Sequence, residues 1–284
     1  MAAAGIEQLP EPQLGLRSFG AQALPLFTDE ALFQKTGLRV AFSGRAGGVS
    51  EGAYASLNLG GHVGDDQARV DENRRILLSS LDASDAQLVV PSQVHGKNLV
   101  QIDSDDPRSV DAARERAKEG ADGIIVSTSG VAALLCYADC VPVVIVSPTG
   151  RFAVVHAGWR GVMNGIAPAA VERMAAADGA ALGADAAAEY NVYIGPHIHV
   201  ECFETGEDVR ARFVERFGGA CAPDARHVDL FKALCCGLVE AGVRRERIVE
   251  AGVCTMCNPD RYYSYRAAGG VCGRHGAIAF RKDG

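Results

Sequence analysis

The sequence predicts an α/β fold, a single domain in which mixed β-sheets are flanked by helices. Three observations predict it. Four short apolar runs crowd between residues 123 and 156, segments of helical periodicity lie on either side of them, and no Pro/Gly/Ser-rich linker or internal repeat divides the 284 residues. With 48% hydrophobic residues the chain has ample material for a full core.

Taken in order, residues 1–24 read as a loose lead-in, since Pro10, Pro12, Gly15 and Gly20 interrupt any period, and the domain is expected to occupy 25–284. Residues 38–42 are a first apolar strand. Val70, Ile76, Leu77 and Leu81 fall at helical spacing, which predicts a helix over 68–81, and another is predicted over 110–118. Strands follow at 123–127, 131–137, 141–147 and 152–156. Ser147-Pro148-Thr149-Gly150 is a turn signature that joins the last two as a hairpin. These runs are apolar throughout rather than alternating, so their sheet should be buried on both faces. Beyond them, helices are predicted over 164–177, 207–217 and 229–241, the last with Asp229 able to cap its own start. Strands are predicted at 191–194, 248–251 and 277–281.

The charge balance narrows the function classes. Net charge is −7 and the arginines are scattered among acidic residues, so there is no basic face for counterion release, and nucleic acid is not an expected partner. The first twenty residues lack the basic start and apolar core of a signal peptide, and no apolar run approaches the roughly 20 residues of a spanning helix. A cytoplasmic protein with no membrane association is expected, either monomer or homodimer.

In a reducing compartment, nine cysteines point to burial, metal binding or catalysis before disulfides. Cys136, Cys235 and Cys236 lie in apolar segments and read as core. Cys140, Cys202, Cys254, Cys257 and Cys272 sit beside Gly, Pro, Asp or His. Of these, Cys140 stands out because three segments share one design, an apolar strand running into a loop that opens with a potential ligand: Gln93-Val94-His95-Gly96, Ala138-Asp139-Cys140-Val141-Pro142 and His156-Ala157-Gly158-Trp159-Arg160-Gly161. Imidazole and thiolate are donors zinc prefers, and three protein ligands leave a fourth position open, as catalytic sites do. The same residues also read as a loop histidine, a strand-end thiol and a hydrogen-bonded core imidazole. Cys140 with either histidine would equally make a thiolate nucleophile and its base, which needs no metal.

Several loops carry binding chemistry beside the plainer reading of a surface turn. Gly158 and Gly161 bracket Trp159-Arg160 ahead of a helical segment, so backbone can approach a ligand while the arginine and the positive helix end favour an anion. Ser43-Gly44-Arg45-Ala46-Gly47-Gly48 suits a phosphate but lacks the Walker lysine pattern. Asn58 opens a second glycine-rich loop that runs to Asp66. Near the end, Tyr265 and Arg266 would form a pocket wall, aromatic face against heterocycle and guanidinium against anion. Cys254 and Cys257 with Cys272 would make a separate structural zinc site only if His275 supplied the fourth ligand.

In the blocks SGRAGGVSEGAYASLNLG, PSQVHG, ADGIIV, ADCVPVVI, HAGWRG, IGPHIHVECFETGEDV, CTMCNPDRYYSYR and CGRHG, the chain resembles the laccase-domain or multicopper polyphenol oxidase-like family. That family includes purine nucleoside phosphorylases of the laccase-domain type and bacterial peptidoglycan-editing factors. The resemblance runs from about residue 38 to the end. It departs from the family pattern at Gly44, where threonine is usual, and at His197-Ile198-His199, where a shorter Gly-Pro-x-Ile run is usual. It implies zinc on His95, Cys140 and His156, and an α/β fold likened to bacterial toxin cysteine hydrolases. The copper name fits poorly, since only two of seven histidines fall in the ligand motifs.

The implied reactions are phosphorolysis of adenosine, inosine, guanosine and methylthioadenosine, and deamination of adenosine, so purine nucleosides and phosphate are the expected partners. Asp139 would then move protons, with Arg45 and Arg160 holding phosphate. Ser43, Asn58, Trp159, Tyr265 and Arg266 complete the expected substrate contacts. The editing-factor name implies an alternative substrate, a peptidoglycan precursor of muropeptide type.

Overall fold

The computed structural model describes residues 7–282. Its twelve strands are β1 (Gly15–Phe19), β2 (Leu24–Thr28), β3 (Leu38–Ser43), β4 (Gln87–Val89), β5 (Leu99–Ile102), β6 (Gly123–Val126), β7 (Val131–Tyr137), β8 (Val141–Val146), β9 (Phe152–Ala157), β10 (Asn191–Ile194), β11 (Ile248–Glu250) and β12 (His275–Arg281). Seven α-helices join them: α1 (Glu30–Thr36), α2 (Gln67–Ser80), α3 (Pro107–Lys118), α4 (Trp159–Asn164), α5 (Ile166–Leu182), α6 (Glu207–Phe217) and α7 (Leu230–Glu240). The strands form two six-stranded mixed sheets, ordered β1-β2-β3-β12-β7-β4 and β11-β10-β8-β9-β6-β5.

The sheets lie face to face, and the period of two along each strand shows how. On β7, Val131, Ala133, Leu135 and Tyr137 join Val144, Val146, Phe152 and Val154 of the second sheet in one buried cluster. The intervening Ala132, Leu134 and Cys136 turn outward to Leu57, Leu59, Ile76 and Leu77, so that α2 and the loop before it cover the first sheet. Val143, Ile145, Ala153 and Val155 of the second sheet face α5 and α7 through Val171, Met174, Leu234 and Leu238. The central strands β6 to β9 are therefore covered on both faces, which is why they are apolar at nearly every position. A single α/β domain with mixed sheets flanked by helices is the result, as the sequence predicts.

Local chemistry sets the element ends. Asp229 caps α7 by accepting from the Lys232 amide, as expected, and Asp66 and Asp106 cap α2 and α3 in the same way. Pro107 occupies the first turn of α3 and lets it begin one turn before the predicted start. The Ser147–Gly150 turn does join β8 to β9, closed by the Gly150 amide donating to the Ser147 carbonyl at 3.0 Å. The helix predicted over 164–177 is α5, which begins just after Gly165 and runs on to Leu182; the φ of 70° at Gly165 separates it from the short, unpredicted α4.

The lead-in expected through residue 24 needs correction. Gly15–Phe19 is a strand at the edge of the first sheet, paired with β2. The segment before it is also held, since Asn191 donates to the Pro10 carbonyl at 2.9 Å and the Gln13 amide donates to Asp29. Sequence period misses these because the tethers are tertiary. The short β4, β5 and α1 are likewise unpredicted. Among the described residues, no helix is long and apolar enough to cross a membrane.

Candidate metal centre and cavity

His95, Cys140 and His156 come from three different loops and strand ends, yet their ligand atoms all lie within 4.8 Å of one another. His156 is the penultimate residue of β9 and shares the inward parity of Phe152 and Val154, so its ring enters the seam between the sheets, 5.5 Å from the Tyr137 ring. Cys140 follows Asp139 in the tight turn between β7 and β8. His95 sits in the loop after β4, and its ring meets that of His156 edge to face at 4.8 Å.

Two of the turns that present these ligands use left-handed backbone, with φ of 58° at His95 and 84° at Asp139, unusual for side chains with a Cβ. Hydrogen bonds hold them there. Asp122 is fully buried at the start of β6, where its Oδ1 accepts from the His95 amide at 2.9 Å and its Oδ2 from the Gly96 amide at 2.7 Å. Oδ1 also meets His156 Nδ1 at 2.8 Å. That contact fixes the proton on Nδ1 and leaves Nε2 as a free donor atom, the support that metal-binding histidines ordinarily have. Gln93 clamps the His95 loop to β7, donating to the Cys136 carbonyl and accepting from its amide, both at 2.8 Å. At Gly158 an added Cβ would lie 2.9 Å from both Cys140 Sγ and His95 Nδ1, so the site needs the bare backbone.

Without an ion, Cys140 and His156 form a thiolate–imidazolium pair, and a cation bound here would take the place of the His156 Nε2 proton. Burial pushes the Cys140 thiol up, but the His156 charge and hydrogen bonds from His156 and His95 outweigh it and bring it down to about 6. Burial pushes His156 down, but the Cys140 charge and Asp122 outweigh it and raise the imidazole to about 9. Cys140 is therefore a thiolate near neutrality, the form that binds metal or attacks carbon. Asp122 is a carboxylate, since burial pushes it up but His156 and the Gly96 amide bring it below its ordinary value.

The three ligands open on a cavity of about 390 Å³, within the range for a small-molecule site. Tyr265 and Arg266 line it, where the sequence reading puts them, as does Asp139. Both Asp139 oxygens are engaged, accepting from the Thr255 hydroxyl and the Arg266 amide at 2.7 Å each. The remaining candidates do not line this cavity. Ser43 is buried and accepts from the Gly276 amide. Asn58 is buried between Gly60, Asp65 and the Arg274 amide. Arg45 spends its guanidinium on the Ala55 and Pro259 carbonyls and lies over the Tyr263 ring at 4.8 Å. Arg160 is exposed and covers Trp159, its guanidinium 4.3 Å from the ring centre, while Trp159 packs on the core of α5 and α7.

In their place the cavity wall carries His62, Arg274, Ile198 and Phe203, none of which stands out in the sequence. Burial, with Arg274 and Arg74 nearby, depresses His62 and keeps it neutral near pH 7. Asp122 is also missed, and its one signal is an acidic residue directly before an apolar strand. Cys272 does not join Cys254 and Cys257. Their neighbours are instead Cys202 and Glu201, and His275 is buried in the core away from them.

The pattern of a family described as multi-copper polyphenol oxidoreductase laccase matches residues 39–282. Adenosine deaminase RL5, from an unknown prokaryotic organism, is 37% identical over 256 residues, covering 85% of this chain and 94% of that protein. Purine nucleoside phosphorylase YlmD of Geobacillus stearothermophilus is 32% identical over 255 residues, covering 84% and 88%. The crystal structure of YlmD from Geobacillus stearothermophilus superposes with a TM-score of 0.80 at 30% identity, over 94% of this chain and 100% of that one. That of the Bacillus licheniformis hypothetical protein YfiH gives 0.81 at 25%, over 93% and 99%.

Proposed function

The chain belongs to the multi-copper polyphenol oxidoreductase laccase family, and from that premise we propose that it is a cytoplasmic, zinc-dependent enzyme of purine nucleosides. Its reactions are deamination of adenosine and phosphorolysis of adenosine, inosine, guanosine and methylthioadenosine. The observation that carries the proposal is the convergence of His95, Cys140 and His156 at the cavity, with Asp122 behind His156. Two imidazoles and a thiolate suit zinc, and three ligands leave a position open to the cavity. Zinc held there supplies Lewis acidity that makes water nucleophilic near neutral pH.

The chain's own residues do the rest. Tyr265 and Phe203 offer aromatic faces to a purine. In deamination, water adds at C6 and ammonia leaves, so a proton must be taken up and returned. Asp139 is the carboxylate in the wall, but its two oxygens already accept strong donors, which makes neutral His62 the better carrier. In phosphorolysis the bond from C1′ to the base breaks as a phosphate oxygen bonds C1′. Arg266 and Arg274 are the cations that line the cavity, in place of Arg45 and Arg160, and each keeps guanidinium donors for that anion beyond those it gives to the Glu204, Cys272 and Gly273 carbonyls.

One observation favours a second reading. A Cys140 thiol brought down to about 6 beside a raised His156 is also the pair a metal-free cysteine hydrolase uses. Cys140→Ala separates the two. With zinc, the variant loses bound metal together with adenosine deamination and phosphate-dependent cleavage. In the hydrolase reading it loses activity with metal content unchanged, and chelator-stripped wild type stays fully active.

A further inference from the structure

Beyond the C-terminal ends of the parallel neighbours β10 and β11, a second group of ligand-type side chains converges, and it shares no residue with the first. We propose that His197, His199 and Glu250 bind a second divalent ion of the zinc, cobalt or nickel type. Their ligand atoms lie within 4.8 Å of one another. Glu250 Oε1 stands 3.2 Å from His199 Nε2 and 3.5 Å from His197 Nε2. Donors about 2.1 Å from one tetrahedral ion are separated by about 3.4 Å, so one ion fits both spacings.

Hydrogen bonding and charge pairing account for only part of the arrangement. His197 is buried, and its Nδ1 meets the Gly195 carbonyl at 2.9 Å, which puts the proton there and leaves Nε2 bare toward Glu250. His199 Nε2 is buried, and its only close partner is the Glu250 carboxylate of the same group, an ion-pair contact that lacks hydrogen-bond geometry. An ion between them would satisfy all three groups. The fourth position faces a hollow of about 120 Å³, lined also by Asp229, Leu230 and Phe231, with room for water.

The site lies back to back with the active cavity. Ile198, between the two histidines, lines both hollows, and its amide donates to the Asp139 carbonyl at 3.0 Å. The His197 carbonyl accepts from the Thr255 amide at 2.9 Å, and Thr255 in turn holds the Asp139 carboxylate. An ion here pins the segment that forms this wall. Its nitrogen and oxygen donors differ from the thiolate-bearing sites, which makes it separately observable.

The test is titration of metal-free protein with cobalt, read by stoichiometry and by thiolate-to-cobalt absorption. Wild type should take up cobalt beyond the amount that saturates the thiolate band. His199→Gln and Glu250→Gln, each close in size to the original, should each bind one cobalt fewer per chain while that band stays unchanged. Wild-type stoichiometry in both variants overturns the proposal. So does a wild type that binds no cobalt beyond its thiolate band, or variants whose loss falls in that band.

Discussion

One carboxylate organises the candidate metal centre from behind. Asp122 serves His95, Gly96 and His156 at once, with four hydrogen-bond contacts when the longer one to the Val94 amide is counted. Replacing it by asparagine keeps the shape but turns an amide NH₂ toward groups that are themselves donors. Asp122→Asn should therefore weaken zinc binding by about 10- to 100-fold, measured by competition with a chromophoric chelator. Wild-type affinity in the variant would show that the buried contact has no bearing on the ligands. Asp122 eluded the sequence reading because its partners are 26 to 34 residues away, beyond any local spacing rule.

At the scale of elements, the site depends on how closely the β9–α4 junction approaches the other two ligand segments. Gly158 has φ of −66° and ψ of 172°, open to any residue, so its constraint comes from space rather than backbone conformation. The Cβ of Gly158→Ala would press on both Cys140 Sγ and His95 Nδ1. We expect at least a tenfold loss of zinc affinity and of nucleoside turnover with little change in melting temperature. Gly179→Ala is the control, because nothing lies within 4 Å of its added methyl in the last turn of α5. That change should leave zinc unaltered and stabilise the helix by about 0.5–1 kcal/mol. Equal zinc affinity in the two variants would refute the steric argument. The residue types of the three candidate ligands are legible in the sequence, but their mutual approach is not, and His156 lies within β9 rather than opening the loop after it.

At the scale of the molecule, the seam between the sheets contains a titratable group held in its neutral form. His275 of β12 has the inward parity of Ala277 and Ala279 and lies between the Tyr137 and Tyr262 rings, with neither nitrogen hydrogen-bonded. Burial depresses it to about 3. Because the unfolded chain takes up this proton below its ordinary value near 6.5 and the folded chain does not, stability is full above pH 6.5 and falls as pH drops from there toward 3. The slope is about 1.4 kcal/mol per pH unit. Urea unfolding at pH 7 and pH 5 should show His275→Phe gaining about 2 kcal/mol relative to wild type at the lower pH. Parallel losses in the two proteins would sink the assignment. The sequence by itself determined the α/β class, the doubly covered central strands, the β8–β9 hairpin and the Asp229 cap, and it marked His95, Cys140 and His156 as candidate ligands. Each of these leaves a local trace, in apolar runs, turn chemistry or residue type at a strand end. Only the tertiary structure decided that Gly15–Phe19 is a strand, that Arg274 rather than Arg45 lines the cavity beside Arg266, and that Asp122 stands behind His156. Those facts depend on which distant segments pair, and a guanidinium in a glycine-rich loop looks the same in sequence whether it meets a ligand or, as Arg45 does, two carbonyls of its own chain.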